Sequence, residues 1–174
     1  MMRRECRGVL MYNSIDKALH DNRSCASVES TSMRIGIPRE LKSQEGRVGL
    51  IPAACVGLVR DGHEVWLERG AGEQSGYDDQ QYRDIGAHIA ADADELYRRG
   101  EMIVKVKEPI DADLARLRRE HLLFCYLHLA ALPDLTRRLC DIGLTAVAFE
   151  TVEDHLGRLP LLAPMSDIAG RLSM

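Results

Sequence analysis

The chain has 174 residues, enough for one domain or for one domain and part of a second. Its formal net charge of −4 and isoelectric point near 5.9 leave no electrostatic footprint for nucleic acid or an anionic membrane, because the arginines are interleaved with acids. Five cysteines, at positions 6, 25, 55, 125 and 140, are odd in number and form no C-x-x-C pair, and the last three fall in apolar segments. They are expected to be reduced core thiols of a cytoplasmic protein. No apolar run approaches the roughly 18 to 20 residues that a membrane span requires.

Residues 1–32 are polar, serine-containing and aperiodic. Gly8 to Tyr12 is too short for the apolar centre of a secretory signal, and Asp16, Asp21 and Glu29 disfavour a transit peptide. The stretch is therefore expected to be a disordered leader, or an extension upstream of a start at Met33. From there the pattern turns regular. Met33 to Pro38 is predicted to be a short buried strand closed by Pro38, followed by a polar loop from Arg39 to Arg47. Pro52 then opens a helix with Cys55, Leu58 and Val59 on one face and Gly62 as its stop, and a second strand, Glu64 to Glu68, completes a βαβ unit.

The next segment, Gly70-Ala71-Gly72-Glu73-Gln74-Ser75-Gly76, looks at first like a dinucleotide-binding fingerprint. Its third glycine is displaced and no acidic strand end follows, which favours a structural turn. Short helices near Gln80 to Ile85 and Ala93 to Arg99 flank a small strand at Ala87 to Ala90. Further strands are predicted at Met102 to Lys107, Leu122 to Leu127 and Leu144 to Phe149. Helices are predicted between them, at Asp111 to Arg118 and at Asp134 to Ile142, the second with Pro133 near its start and Gly143 at its end. Glu153 to Arg158 reads as a turn. A last helix opens at Ala163 with Pro164 in its first turn, and no glycine, asparagine or proline stops it before the final residue, as in a chain cut mid-helix. This alternation predicts an α/β fold: a doubly wound, mainly parallel sheet, Rossmann-like or flavodoxin-like, in an incomplete domain.

Two stretches carry the chemistry. Val104-Lys105-Val106-Lys107-Glu108-Pro109 and Leu123-Phe124-Cys125-Tyr126-Leu127-His128-Leu129-Ala130 are apolar runs that end in reactive side chains. With period-two alternation, Ile103, Lys105 and Lys107 share one strand face, and Tyr126 and His128 share another. In a parallel sheet Lys107 and His128 then sit at carboxyl ends, where open α/β sheets bind ligands. Two of only four lysines, against nineteen arginines, fall in the first stretch. The plainer alternative is a solvated strand end and a hydrogen-bonded loop histidine.

In order and spacing, Met33-Arg34-Ile35-Gly36-Ile37-Pro38-Arg39-Glu40, Glu45-Gly46-Arg47-Val48, Lys105-Val106-Lys107-Glu108-Pro109, Leu127-His128-Leu129-Ala130 and Leu162-Ala163-Pro164-Met165-Ser166 resemble the N-terminal half of alanine dehydrogenase. The related transhydrogenase α subunit shares the opening motif but looks less similar at Lys107 to Pro109 and at His128. The resemblance implies reversible, NAD-dependent oxidative deamination of L-alanine to pyruvate and ammonia by a homo-oligomer, a hexamer with two domains per subunit. It assigns the substrate carboxylate and carbonyl to Arg47 and Lys107 and general acid/base work to His128, with Tyr126 lining the pocket. It sets Met165 and Ser166 near the nicotinamide of NAD, and gives Glu150 a possible divalent-cation role.

The resemblance also implies a domain organisation: the leader 1–32, a substrate domain 33–160, and the start of an interdomain helix at 161–174. The family's nucleotide-binding domain follows that helix, so the expectation is a substrate-binding part inactive alone. A transhydrogenase fragment and a non-catalytic docking protein are the alternatives.

Overall fold

A computed structural model describes residues 32–172. The leader expected over 1–32 therefore lies, apart from Ser32, outside the described residues, as do Cys6, Cys25 and the last two positions.

Six strands, β1 (Arg34–Ile37), β2 (Glu64–Glu68), β3 (His88–Ala90), β4 (Met102–Val104), β5 (Leu122–Cys125) and β6 (Thr145–Ala148), form one sheet in the order β3-β2-β1-β4-β5-β6. Every pairing is parallel. The order reverses between β1 and β4, which makes their carboxyl edge the topological switch point of a doubly wound fold. The helices are α1 (Pro52–Arg60), α2 (Asp79–Asp84), α3 (Ala93–Arg99), α4 (Asp111–Leu114), α5 (Pro133–Ile142) and α6 (Ala163–Leu172).

Alternation along the strands divides the core in two. Ile37, Val65 and Leu67 bury against Cys55 and Tyr82 from α1 and α2, while Ile103, Leu123 and Cys125 bury with Leu96, Tyr97 and Leu139 from α3 and α5. Both faces of the sheet are thus covered, as an all-parallel sheet requires, and each fully buried Leu or Ile contributes about 1.5–3 kcal/mol. Gly36 is needed for this: a Cβ there would stand 3.1 Å from Ile103 and 3.2 Å from Leu96, so α3 lies tight against β1. Burial also raises the thiols of Cys125 and of Cys55, the latter to about 11, which keeps both protonated. Cys140, expected in the core with them, is only half-buried on α5.

Several predicted elements are shorter than their apolar runs. The strand expected to reach Lys107 ends at Val104. The β1–β4 register sets Gly36 beside Ile103, so one more step on each strand pairs Ile37 with Val104 and the next would set Pro38, which has no N–H, beside Lys105. The Val106 amide instead donates to the Glu40 carboxylate at 2.6 Å. Likewise β5 ends at Cys125, two residues short of Leu127, whose amide goes to Glu150. The helix expected over Asp111 to Arg118 stops at Leu114, and the Arg118 amide donates to His121 Nδ1. The Gly70–Gly76 segment is a structural turn, with a 3-10 turn at Glu73–Ser75 and Gly76 at φ 82°. Gly72 has no room for a side chain, since a Cβ would lie 2.7 Å from the Tyr77 carbonyl.

Candidate active site

Three loops meet at the switch point. Residues 38–51 follow β1, residues 105–110 follow β4, and residues 126–132 follow β5. The ladder between the last two persists beyond the strands: Lys105 N–H donates to Phe124 at 3.1 Å, and Tyr126 N–H donates to Val106 at 3.1 Å. The two reactive stretches are therefore held side by side even though neither Lys107 nor Tyr126 is in a strand.

A cleft of about 350 Å³ opens here, walled by Arg47, Val106, Tyr126, Phe149, Leu161 and Met165 among others. Of the residues expected at a substrate site, Arg47, Tyr126 and Met165 line it together. Tyr126 is locked in place by its hydroxyl, which donates to the Leu161 carbonyl at 2.8 Å, and by an edge contact with Phe149 at 5.2 Å. Burial raises its hydroxyl above the usual tyrosine range, against the pull of the Arg47 charge.

Arg47 was expected to offer its fork to a carboxylate, yet one edge of it is already taken. Its Nε and Nη2 donate to Glu45 at 2.8 and 2.6 Å, while Nη1 points to Met165 Sδ at 3.8 Å. A guanidinium has five donors in two forks, so the Nη1 side stays available toward the cleft. The Arg47 hydrogen bond holds the Glu45 carboxyl below its ordinary range, with a smaller push from the charge of Lys107.

His128 and Tyr126 are not neighbours on a strand face. Their rings stack instead, with centroids 5.9 Å apart and planes 11° off parallel. The backbone turns at His128, whose φ of 50° and ψ of 37° lie in the left-handed region that few side chains adopt. Glu150 makes the turn possible: one oxygen accepts the His128 amide at 2.6 Å, and both accept the Leu127 amide at 3.2 Å. Glu150 is thus occupied in fixing the exposed histidine, and among the described residues no three His, Cys, Asp or Glu side chains gather as a metal site would need.

Lys105 and Lys107 part company. The first, expected on the same face as the second, is 1% exposed and lies 3.4 Å from both Glu40 and Asp113. Lys107 is half-buried and has no ion pair among the described residues. Neither Lys107, His128 nor Ser166 is a wall of the cleft; Lys107 adjoins it through Val106, His128 through Tyr126, and Ser166 is exposed on α6. The pairing of Glu40 with Lys105 and of Lys42 with Glu108 escaped the sequence reading. Its one sequence signal is the scarcity of lysine, since three of the four stand in these contacts or between them.

The family described as "Alanine dehydrogenase/PNT, N-terminal domain" matches residues 36–169. The chain belongs to that family. It is 48% identical over 141 residues to an alanine dehydrogenase of Mycolicibacterium smegmatis, an alignment covering 81% of this chain and 38% of that protein. Against an alanine dehydrogenase of Bacillus subtilis it is 46% identical, covering 81% and 37%. A solved L-alanine dehydrogenase superposes with a TM-score of 0.77 at 51% identity, over 81% of this chain and 39% of that one. A transhydrogenase from Sinorhizobium meliloti superposes less closely, with a TM-score of 0.63 at 26% identity over 67% and 33%. The chain thus matches less than two fifths of the length of these alanine dehydrogenases. Among the described residues no helix is long and apolar enough to cross a membrane.

Proposed function

We propose that this chain is the substrate-binding part of an NAD-dependent L-alanine dehydrogenase, a cytoplasmic homo-oligomer that interconverts L-alanine with pyruvate and ammonia. The observation that carries the reading is the convergence of Arg47, Tyr126 and Met165 on one cleft at the switch point, with Lys107 next to its wall residue Val106 and His128 stacked on its wall residue Tyr126. The Nη1 side of Arg47 binds the substrate carboxylate. Lys107, an ammonium with no ion pair among the described residues, polarises the carbonyl of pyruvate. His128 takes a proton from the water that attacks the oxidised substrate and returns one to the departing amine, work suited to an imidazole, which can both accept and donate a proton.

The residues present fit one end of NAD. Phe149, Met165 and Val106 make an apolar wall suited to a nicotinamide ring, with Ser166 beyond Met165, whereas the tightly packed turn at Gly72 offers no cradle for the pyrophosphate. NAD, when bound, supplies the hydride acceptor. Tyr126 and Phe149 exclude water from the face where hydride leaves the substrate, and Arg47 with Lys107 fixes the substrate's orientation there.

A calorimetric titration of the folded chain with pyruvate tests the reading. Weak binding is expected, lowered at least about tenfold by Arg47→Ala and by Lys107→Ala, as for loss of one charged hydrogen bond. A folded sample that binds no pyruvate, or binds it equally in both variants, overturns it. The likeness to a transhydrogenase supports a second reading, the equivalent part of a transhydrogenase α subunit, at lower identity.

A further inference from the structure

The loop after β1 grips the segment after β4 at two points of opposite polarity. At the first, Glu40 Oε2 lies 3.4 Å from Lys105 Nζ while Glu40 Oε1 accepts the Val106 amide at 2.6 Å. Lys42 and Glu108 form an ion pair at the second. Lys107 stands between the two gripped positions and takes part in neither. Behind Lys105, Asp113 Oδ2 lies 3.4 Å from the same ammonium and accepts the Ile110 amide, and Asp113 Oδ1 accepts the Tyr97 hydroxyl at 2.8 Å. The backbones also touch: a Cβ on Gly49 would stand 2.7 Å from the Val104 carbonyl.

An ammonium and two carboxylates, each no more than 4% exposed at the side chain, are costly to bury, and the cost is uncompensated unless their geometry is fixed by further hydrogen bonds. Here those bonds go to backbone amides that flank Lys107. A lysine side chain is long and freely rotating, so its ammonium is aimed only if its backbone is held.

We propose that Glu40 is a positioning residue. Held by the buried Lys105, it fixes the Lys105–Val106 peptide, immediately before Lys107, and so aims the Lys107 ammonium at the substrate carbonyl. It touches neither substrate nor cofactor and acts through Lys107 alone. The proposal rests on the substrate reading above.

The test uses the full chain, with pyruvate as probe and chemical-shift titration to reach millimolar affinities. Glu40→Gln leaves the volume unchanged but sets an amide donor against either Lys105 or the Val106 N–H. It is expected to weaken pyruvate binding about tenfold, the scale of one lost charged hydrogen bond. In a Lys107→Gln background it is expected to cost nothing more, since the two act as one unit. Equal losses in both backgrounds would reveal a general structural role and overturn the proposal.

A second readout needs no ligand. In the unsubstituted chain the Val106 amide proton is expected downfield and protected from exchange, and Glu40→Gln is expected to move the Val106 and Lys107 amides. A folded variant that leaves both unmoved overturns the proposal. If Glu40→Gln does not fold, a fast-exchanging Val106 amide in the unsubstituted chain does so instead. Should the unsubstituted chain bind no pyruvate while these amides respond as stated, the substrate reading fails, and with it the aim at a carbonyl, but the anchoring of Lys107 by Glu40 stands.

Discussion

Lys105 and Lys107 lie two residues apart on one loop in opposite environments. Lys105 is buried, and its ammonium is shared by Glu40 and Asp113; Lys107 is half-buried, with no ion pair among the described residues. The difference separates two uses of a charge. A cation neutralised at close range on two sides can hold chain segments together but has little left for a ligand, whereas an unneutralised one beside an apolar cleft keeps its field for whatever enters. The same contrast recurs across the site: Glu45 occupies one edge of Arg47 and leaves the other, and Glu150 spends both oxygens on the backbone around His128 while the imidazole stays exposed.

The sharpest way to break the comparison is to remove each lysine. Lys105→Met is expected to cost about 3–5 kcal/mol in urea unfolding, because it strands two buried carboxylates, while Lys107→Met is expected to stay within about 0.5 kcal/mol. Equal costs would erase the distinction.

That distinction was illegible in the sequence, because both lysines obey the same period-two pattern. The apolar runs were enough to locate all six strands and to predict a mainly parallel sheet, though not the strand order, since Val, Ile and Leu must be buried on both faces of such a sheet. Strand ends were not legible. Beyond Val104 and Cys125 the ladder is interrupted where the amides of Val106 and Leu127 go to the side chains of Glu40 and Glu150, 66 and 23 residues away along the chain. A side-chain acceptor so far away leaves no local mark. The candidate residues Arg47, Tyr126 and Met165 were legible from the motifs that resemble alanine dehydrogenase, and they converge. The prior occupation of Arg47 by Glu45 was not, although the two are only two residues apart, because a loop has no periodicity to say which side chains face each other.

Next in size is Tyr97→Phe, which removes the hydroxyl that Asp113 accepts at 2.8 Å in a buried site. A loss of about 1.5–3 kcal/mol is expected in the same unfolding assay, as for a hydrogen bond to a charged group. A neutral effect would mean that Asp113 is satisfied without it, and that Lys105 is less firmly held than its geometry suggests.

Acid titration then separates the Glu45–Arg47 pair from the rest. The Arg47 hydrogen bond depresses the folded-state pKa of Glu45, so the pair's stabilisation is full above the unfolded-state value near 4.3 and is lost as pH falls through the depressed value. Glu45→Gln should therefore unfold at a lower denaturant concentration than the unsubstituted chain at neutral pH, and the gap should narrow as pH falls below about 4.3 and close below the depressed folded-state value. A gap that persists in acid would mean that the glutamate stabilises through packing alone.

The smallest effect is expected on α6. Leu172 is 83% exposed, so Leu172→Ser should change stability by no more than about 0.5 kcal/mol, in contrast to the 2–5 kcal/mol expected for the fully buried Leu123→Ala.

The central claim, that the switch-point edge of this sheet is a substrate site, is tested most directly by mapping amide and side-chain resonances of the full chain during a pyruvate titration. The account predicts saturable shifts at Arg47, Val106, Lys107, Tyr126, His128 and Met165, and none at the crevice between Leu114 of α4 and Arg138 of α5. Shifts centred on Leu114, Arg138 and Ile142, or none at all at Arg47 and Lys107, would contradict it.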